Sequence, residues 1–296
     1  MEKQVALDKL SKWSGVSVKP LVNIASLSRP QMVDLATILN IPSTYAKKCP
    51  DDLLRPQIDY WLSKTTKSIY QLAKGDSIFG LNSDSNCYVD PVQIFQAIDK
   101  AVPGVSNVDY LHINGAVRCG MVTNKNTQVR VGDIVQYGVQ FEVYPVGKYA
   151  KYPEVSSYLY RLVCSNGMIS ATNTFNCKKK DMDDVLDWAG RVARIAWERA
   201  EQEADLLKRM DTVKLPADLE KVTKHIVSKI MIPISVRKLL VDRIKAESPH
   251  TMYDLWNIVT AIGAGLGQTE LSGYVKEAAG RLMSHYTVCS TCHRPF

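Results

Sequence analysis

Residues 155–175, with the sequence VSSYLYRLVCSNGMISATNTF, constrain the fold more than any other stretch of the chain. The first half carries apolar residues on both sides of an extended strand, which is typical of a strand inside a sheet. Asn166-Gly167 favours the positive φ angles of a tight turn, and polar and apolar residues alternate after it. The stretch therefore predicts a β-hairpin with its turn at Asn166-Gly167.

Further antiparallel strands are predicted around this hairpin. Asn114-Gly115 separates two strand-like runs and predicts a second hairpin. Residues 133–144 alternate between polar and apolar side chains, so they predict a long strand with one buried and one solvent-facing side. Residues 125–130 are polar and basic and favour a loop, whereas residues 69–81 predict another hairpin. Short turns between successive strands favour an antiparallel β-meander.

Two helices are predicted near the N-terminus. Ser28 is suited to an N-cap, and Gln31 completes a capping box before a helical apolar pattern. A second helical pattern continues toward Trp61. A helix, a loop with Lys47 and Lys48, and a second helix resemble a small SAP-type DNA-binding hairpin, although the loop is longer than in that motif. We favour the alternative, a helical hairpin that covers the sheet.

The C-terminal part of the chain is predicted to be helical. Apolar residues recur in one stripe from Asp181 to about Met210, which favours packing in a core. Four further helices are predicted at residues 218–231, 235–247, 249–262 and 270–286. The sequence thus predicts an α+β fold, in which an antiparallel β-meander body carries an N-terminal helical hairpin and a C-terminal helical lobe. The predicted divisions are 1–66 (helical segment), 67–176 (β-rich body), 177–288 (helical lobe) and 289–296 (tail with a CxxC pattern).

Three segments resemble a family found in bacteriophages, prophages and conjugative plasmids. They are Val131-Gly132-Asp133 followed by a glycine-bearing strand, LYRLVCSNGM at residues 159–168, and TMYDLWNIVTAI at residues 251–262. Their pattern is similar to the phage/plasmid-like protein family of unknown function numbered 932, and NIPSTYAKKCPDDLL resembles its N-terminal region. The resemblance covers most of residues 30–265. It implies a mobile-element origin and an approximate fold, but no reaction.

The chain departs from that family at two places. Residues 142–147 stand where members have a polar Asn-Ser-Glu-type stretch, and the spacing between Trp256 and Asn257 is altered. No role is carried over to residues 142–147.

Composition limits the classes of function. The chain has 296 residues and a formal net charge of +7, and it has no apolar run long enough to cross a membrane. The N-terminus lacks the pattern of a secretion signal, and seven scattered cysteines favour a reducing compartment. These features predict a cytoplasmic protein, in the host cell if it is phage-encoded. The basic balance permits nucleic-acid binding but does not establish it.

The sequence offers one candidate for nucleophilic catalysis. Cys164 lies beside the predicted turn, and it is a nucleophile only if the fold brings a base to it. A small buried cysteine is the alternative. Phosphate-binding loop and HExxH patterns do not occur. We therefore predict no catalytic residue, and a metal- or cysteine-dependent enzyme is kept as an alternative.

The best metal pattern lies at the C-terminus. Cys289 and Cys292 have the spacing of one zinc knuckle, and His285 and His293 are further ligand candidates. A structural site needs four ligands, and adjacent Cys292 and His293 would have difficulty reaching one tetrahedral ion. No cofactor is predicted, with zinc as the alternative, bound within one chain or shared between subunits.

Basic residues and tyrosines alternate near the main hairpin and predict a nucleic-acid site. Cations neutralise phosphates, and aromatic rings stack on unpaired bases. The alternative is that the tyrosines cap a sheet edge and the lysines are solvated. The candidate residues are Arg118, Lys125, Arg130, Tyr144, Lys148, Tyr149, Lys151, Tyr152, Arg161, Lys178, Lys179 and Lys180.

The sequence therefore predicts a non-catalytic nucleic-acid-binding protein of phage or plasmid origin. Its expected partner is single-stranded DNA, in recombination, annealing or protection of DNA. A homo-oligomer is expected, because many weak sites could then act along one strand. The alternative is an oligomeric protein-interaction or assembly factor that acts on a host protein through the long helix.

Overall fold

The computed structural model describes residues 1–75, 77–83, 88–113, 116–144, 153–162, 166–174, 182–267 and 269–288. The fold is α+β, as predicted, with N-terminal helices and a C-terminal helical lobe. The strands are β1 (Ser17–Pro20), β2 (Ile69–Lys74), β3 (Ser77–Ser83), β4 (Val105–Ile113), β5 (Ala116–Arg130), β6 (Asp133–Val143), β7 (Glu154–Arg161) and β8 (Asn166–Thr174). The helices are α1 (Lys3–Leu10), α2 (Arg29–Ile38), α3 (Ser43–Lys48), α4 (Asp51–Lys64), α5 (Pro91–Ala101), α6 (Met182–Thr212), α7 (Leu219–Lys229), α8 (Ile234–Glu247), α9 (Met252–Gly265) and α10 (Glu270–Val288).

The body of the protein is a five-stranded antiparallel sheet in the order β4-β5-β6-β7-β8. Each strand pairs with the next one in the chain, so the predicted meander is confirmed. Ile113 pairs with Ala116, which confirms the hairpin at Asn114-Gly115, although those two residues lie outside the described ones. β7 pairs with a strand on each side, as its apolar character predicts.

The main hairpin is confirmed, but its turn is not at Asn166-Gly167. Arg161 pairs with Asn166 and Tyr160 pairs with Gly167, so Asn166-Gly167 begins β8. The paired residues of β7 therefore end at Arg161 and those of β8 begin at Asn166. On the other side of β7, Leu159 lies opposite Tyr137 of β6, and both side chains are buried. A shift of β7 by one residue against β6 would separate these two buried side chains.

β5 is longer than predicted, because residues 125–130 continue the strand and do not form a loop. Asn126 pairs with Gln136, and Arg130 pairs with Asp133. The register shifts after Val122, and this irregularity breaks the alternation that would reveal a strand in the sequence. The hairpin closes at Gly132, which has a φ of +78°.

Helix α6 covers one face of the sheet. Phe141 and Val155 of the sheet share a buried cluster with Ala189, Ala193 and Ala196 of α6. Small side chains on this face of the helix allow it to lie close to the strands. The predicted apolar stripe is therefore a core stripe.

The opposite face of the sheet is not solvent-facing, which corrects the prediction from residues 133–144. Glu142 of β6 is buried, and it forms an ion pair with Arg118 of β5. Lys276 of α10 contacts Asp109 of β4, so α10 reaches this face. The polar residues of β6 therefore meet charged partners and not only water.

The N-terminal helices pack on a separate sheet in the order β1-β2-β3. Leu35, Leu54 and Ile58 of the helices share a buried cluster with Ile69 and Leu81 of the sheet. The N-terminal helices cover a sheet, as predicted, but it is this smaller sheet and not the five-stranded one. The predicted hairpin at residues 69–81 is β2–β3, and it belongs to this smaller sheet. The link between α2 and α4 contains the helix α3, whereas the sequence suggested a loop.

The C-terminal lobe packs α6 against α9 and α10. Trp256 and Tyr253 of α9 are fully buried and stack with ring centroids 5.5 Å apart. Thr251 and Asp254 form a capping box that begins α9. This places the N-terminus of α9 beside the hairpin of β5 and β6.

Candidate nucleic-acid interface

Arg118 lies on the polar face of the sheet. Its Nε donates to Oε2 of Glu142 at 2.6 Å, and both side chains are largely buried. The guanidinium also lies over Gly273 of α10, where an added Cβ atom would overlap it. Arg118 therefore joins two strands to α10. A phosphate could reach it only if a buried ion pair opened.

Arg130 joins the end of β5 to two helices. Its Nε donates to Asp211 Oδ1 at 2.6 Å, Nη1 donates to Asp254 Oδ1 at 2.7 Å, and Nη2 donates to Thr251 Oγ1 at 3.0 Å. The hydrogen bond with Asp211, followed by that with Asp254, raises the pKa of Arg130 above its ordinary value. Two carboxylates thus neutralise this cation within the fold.

Arg161 makes a two-pronged ion pair with Asp133. Nε donates to Oδ1 at 2.7 Å and Nη2 donates to Oδ2 at 2.6 Å. The Tyr253 hydroxyl donates to the same Oδ2 at 2.9 Å. Burial raises the pKa of Asp133, but the hydrogen bonds from Arg161 and Tyr253 outweigh it and hold the pKa below its ordinary value.

The structure brings Arg130 and Arg161 together and leaves Arg118 apart. The guanidinium carbons of Arg130 and Arg161 lie 5.1 and 6.0 Å from the centre of the Tyr253 ring. Arg118 and Arg161 lie opposite residues 142 and 135 of β6, respectively. These positions are about 24 Å apart along an extended strand. The three arginines therefore do not form one surface.

Lys125 is the most exposed of the described basic candidates. Its Nζ lies 3.4 Å from Glu201 Oε1 and 4.5 Å from the centre of the Trp197 ring. The Tyr137 hydroxyl donates to the same Glu201 oxygen at 3.0 Å. Burial, and then Glu201, raises the pKa of Tyr137 to about 12. Lys125 is therefore an exposed cation that already shares a carboxylate.

The remaining predicted residues lie at or beyond the limits of the described chain. Tyr144 follows β6 and is half-buried. His285 belongs to α10, but its side chain is outside the described part. Cys164 and the following candidates also lie outside it: Lys148, Tyr149, Lys151, Tyr152, Lys178, Lys179, Lys180, Cys289, Cys292 and His293. Their shared surface stays a prediction.

A second group of aromatic and basic residues lies on α4 and α3. We define the α4 surface as Tyr45, Leu53, Tyr60, Trp61 and Lys64. Tyr60 and Trp61 are 57% and 47% exposed, with ring centroids 5.5 Å apart in an edge-on arrangement. Lys64 Nζ lies 5.9 Å from the centre of the Tyr60 ring. Aromatic rings and an ammonium group thus lie side by side in solvent.

The local sequence explains this surface. Leu54 and Ile58 are one turn apart on α4 and are fully buried. Their burial turns Leu53, Tyr60 and Lys64 to the outer side of the helix. Asp51 and Asp52 occupy the first turn, where carboxylates interact favourably with the helix dipole. The sequence predicts the helical pattern toward Trp61. The four-residue spacing of Leu54 and Ile58 is the signal that identifies the opposite, exposed side of α4.

Tyr45 belongs to the same surface through a hydrogen bond between helices. Gln57 Nε2 of α4 donates to the Tyr45 hydroxyl of α3 at 2.7 Å. Lys48 lies one turn after Tyr45 on α3 and is exposed. The short helix α3 therefore adds a third exposed aromatic ring and a second cation.

No family model, curated protein or solved structure matches this chain. Within the described residues, no helix combines the length and apolar character needed to span a bilayer. In the same part of the chain, no three His, Cys, Asp or Glu side chains come together as a metal site.

Proposed function

We propose that this chain is a non-catalytic nucleic-acid-binding protein that engages single-stranded DNA through the α4 surface. The observation that carries the proposal is the exposed pair of Tyr60 and Trp61 beside Lys64. Exposed aromatic rings stack on unpaired bases, and neighbouring cations bind the phosphates between them. A duplex hides the faces of its bases, so this chemistry favours a single strand.

Charge on the neighbouring sides of α4 limits the path of a bound strand. Asp52 and Asp59 are exposed, and their helical positions place them on the adjoining side of the helix. Phosphates would be repelled there. A strand that runs over Tyr60 and Lys64 toward Lys48 avoids these carboxylates.

The wider role rests on the sequence resemblance. A phage or plasmid origin fits a protein that assists recombination, annealing or protection of DNA in the host cytoplasm. A homo-oligomer would place several α4 surfaces along one strand and increase the overall affinity.

The decisive experiment is a titration of fluorescent single- and double-stranded DNA and RNA at several salt concentrations. We expect the double variant Tyr60→Ala, Trp61→Ala to bind single-stranded DNA at least about tenfold more weakly, since each stacked base contributes about 1–3 kcal/mol. Tyr274→Ala is the matched control, because it removes a similarly exposed ring on α10. Equal affinity of the wild type and the double variant would exclude the α4 surface.

Lys64→Gln tests the electrostatic part of the same site. It should lower the slope of log K against log salt by about 0.7 if Lys64 contacts one phosphate of a single strand. The variant keeps both rings, so it separates charge from stacking. Wild-type binding no stronger than that of an unrelated protein of equal charge would contradict the proposed function as a whole.

The turn between α7 and α8 favours a protein partner as a second candidate. Met231 and Ile234 are largely exposed, and Met231 has a φ of +52°, which is costly for a side chain of this size. Arg281 and Arg237 donate to the carbonyl oxygens of Ile230 and Ile232, at 2.9 and 3.1 Å, and hold the turn. A host protein retained by the wild type but not by Met231→Lys, Ile234→Lys would support this role.

A further inference from the structure

The outer side of α6 carries an exposed apolar residue between two opposite charges. Ile195 is 60% exposed. Arg194 and Glu198 lie on either side of it along the helix, and within the described residues neither one forms an ion pair. Side chains four residues apart on a helix can pair, and Asp187–Arg191 and Arg199–Glu203 do so on this same helix. The two charges beside Ile195 are therefore available to a partner.

Two cavities meet at Ile195. One, of about 700 Å³, lies between α5 and α6 and is lined on α6 by Leu186, Gly190 and Arg194. The other, of about 450 Å³, lies toward α10 and is lined by Glu198, Leu206 and Met283. Asp187 and Arg191 line the first cavity as an ion pair, as do Arg199 and Glu203 in the second. Arg194 and Glu198 therefore carry the difference in charge on α6 between the two cavities.

This arrangement is self-complementary about the middle of α6. Arg194 and Glu198 lie at equal distances on either side of residue 196, and so do Leu186 and Leu206. If two copies cross in antiparallel orientation there, Arg194 of each copy meets Glu198 of the other. Leu186 of each copy then meets Leu206 of the other. A two-fold interface requires this kind of self-complementary patch.

We propose that the outer side of α6 is a self-association surface for a second copy of this chain, with antiparallel α6 helices crossing near Ile195. The side chains of one helix would occupy the grooves that flank the other. The inference rests on the oligomeric part of the proposed function and not on the nucleic-acid part. It also leaves the α4 surface, which belongs to another part of the chain, free for a strand.

Charge exchange tests the pairing directly. Arg194→Glu and Glu198→Arg each place like charges opposite one another, and two-fold symmetry makes each change act twice. We expect each single variant to weaken self-association by at least about tenfold, which corresponds to 1.4 kcal/mol. The double variant Arg194→Glu, Glu198→Arg restores opposite charges and should recover the wild-type association.

The measurement is sedimentation velocity of the full chain over a wide range of protein concentration. Lys238→Glu is the control, because it makes the same charge change on the exposed side of α8. Ile195→Asp should also abolish association, and circular dichroism verifies that each variant remains folded. A wild type that is monomeric throughout, or a double variant that stays as weak as the single ones, would overturn the proposal.

DNA titration of the same variants separates the two proposals. If the wild type binds single-stranded DNA but does not associate with itself, the nucleic-acid function stands and the α6 interface is wrong. If DNA binding by the wild type rises steeply with protein concentration and the monomeric variants lose that steepness, the interface connects α4 surfaces along a strand.

Discussion

Asp133 and Arg161 form an ion pair with both oxygens engaged, and their side chains are 10% and 14% exposed. The pair connects the start of β6 to the end of β7, next to the turn of the main hairpin. Tyr253 adds α9 to this connection through its hydroxyl group. The sheet and the helical lobe are thus joined by a charge-assisted contact rather than by apolar packing alone.

Removal of one partner from this pair should be strongly destabilising. Arg161→Ala leaves the Asp133 carboxylate buried without its cation, and we expect a loss of about 3–5 kcal/mol in the free energy of unfolding. Urea denaturation followed by circular dichroism measures this change. Lys208→Ala removes an exposed ion pair with Asp205 and should cost at most about 1 kcal/mol. Similar losses in the two variants would contradict the role assigned to Asp133 and Arg161.

Two carboxylates that pair with arginines, Asp133 and Asp254, should make the free energy of unfolding depend on pH in the acid range. Burial raises the pKa values of Asp133 and Asp254, but hydrogen bonds, chiefly from Arg161 and Arg130 respectively, lower both below the ordinary value of 3.8. The unfolded chain therefore binds protons first as the pH falls. The stabilising contribution is complete above 3.8 and is lost as the pH falls from there through the folded pKa values.

The contribution of Asp133 and Asp254 has to be separated from that of other carboxylates. Burial raises the pKa values of Asp34 and Asp90, so these two groups change the pH dependence of stability in the opposite direction. The test is therefore the free energy of unfolding of wild type and of Asp133→Asn, Asp254→Asn, measured at pH values on both sides of 3.8. We expect the difference between them to shrink as the pH falls. A difference that is constant with pH would exclude the linkage.

The sequence predicted the positions of β6 and β7 better than it predicted which residues they contact. The alternation of polar and apolar residues identified β6, and an apolar run identified β7, because both patterns are visible in consecutive residues. The end of β7 at Arg161 depends on the register of the strands, and the register depends on long-range packing of the sheet. Likewise, the sequence shows Glu142 and Arg118 as polar, but only the pairing of β5 with β6 shows that they neutralise one another. Long-range pairing decides whether a basic residue is a binding group.

Gly120 marks a close approach that a larger residue would block. A Cβ atom at this position would lie 2.7 Å from the ring of Tyr158. Tyr158 is fully buried, and its hydroxyl donates to Asp109 at 2.9 Å, so the ring has little freedom to move. Gly120→Ala should therefore cost about 1–3 kcal/mol in the free energy of unfolding. An unchanged midpoint in urea would show that the ring shifts freely.

Replacement of Gly190 of α6 by alanine should stabilise the protein, in contrast to Gly120→Ala. A Cβ atom there would lie 3.7 Å from the carbonyl oxygen of Ala97, which is ordinary contact. Glycine inside a helix is less favourable than alanine by roughly 0.5–1 kcal/mol. We therefore expect Gly190→Ala to raise the midpoint of urea unfolding. A lower midpoint would mean that α5 and α6 are packed more tightly than the structure indicates.

One set of binding measurements distinguishes the two candidate surfaces for single-stranded DNA, which are residues 148–152 and the α4 surface. The sequence predicts that Tyr149→Ala, Tyr152→Ala weakens single-strand binding, because each of these tyrosines directly follows a lysine. The α4 surface predicts the same effect for Tyr60→Ala, Trp61→Ala. If only the second pair matters, the lysine and tyrosine connection before β7 is a solvated loop. If both matter and their losses add, the strand contacts both surfaces, since distant and independent sites contribute additively.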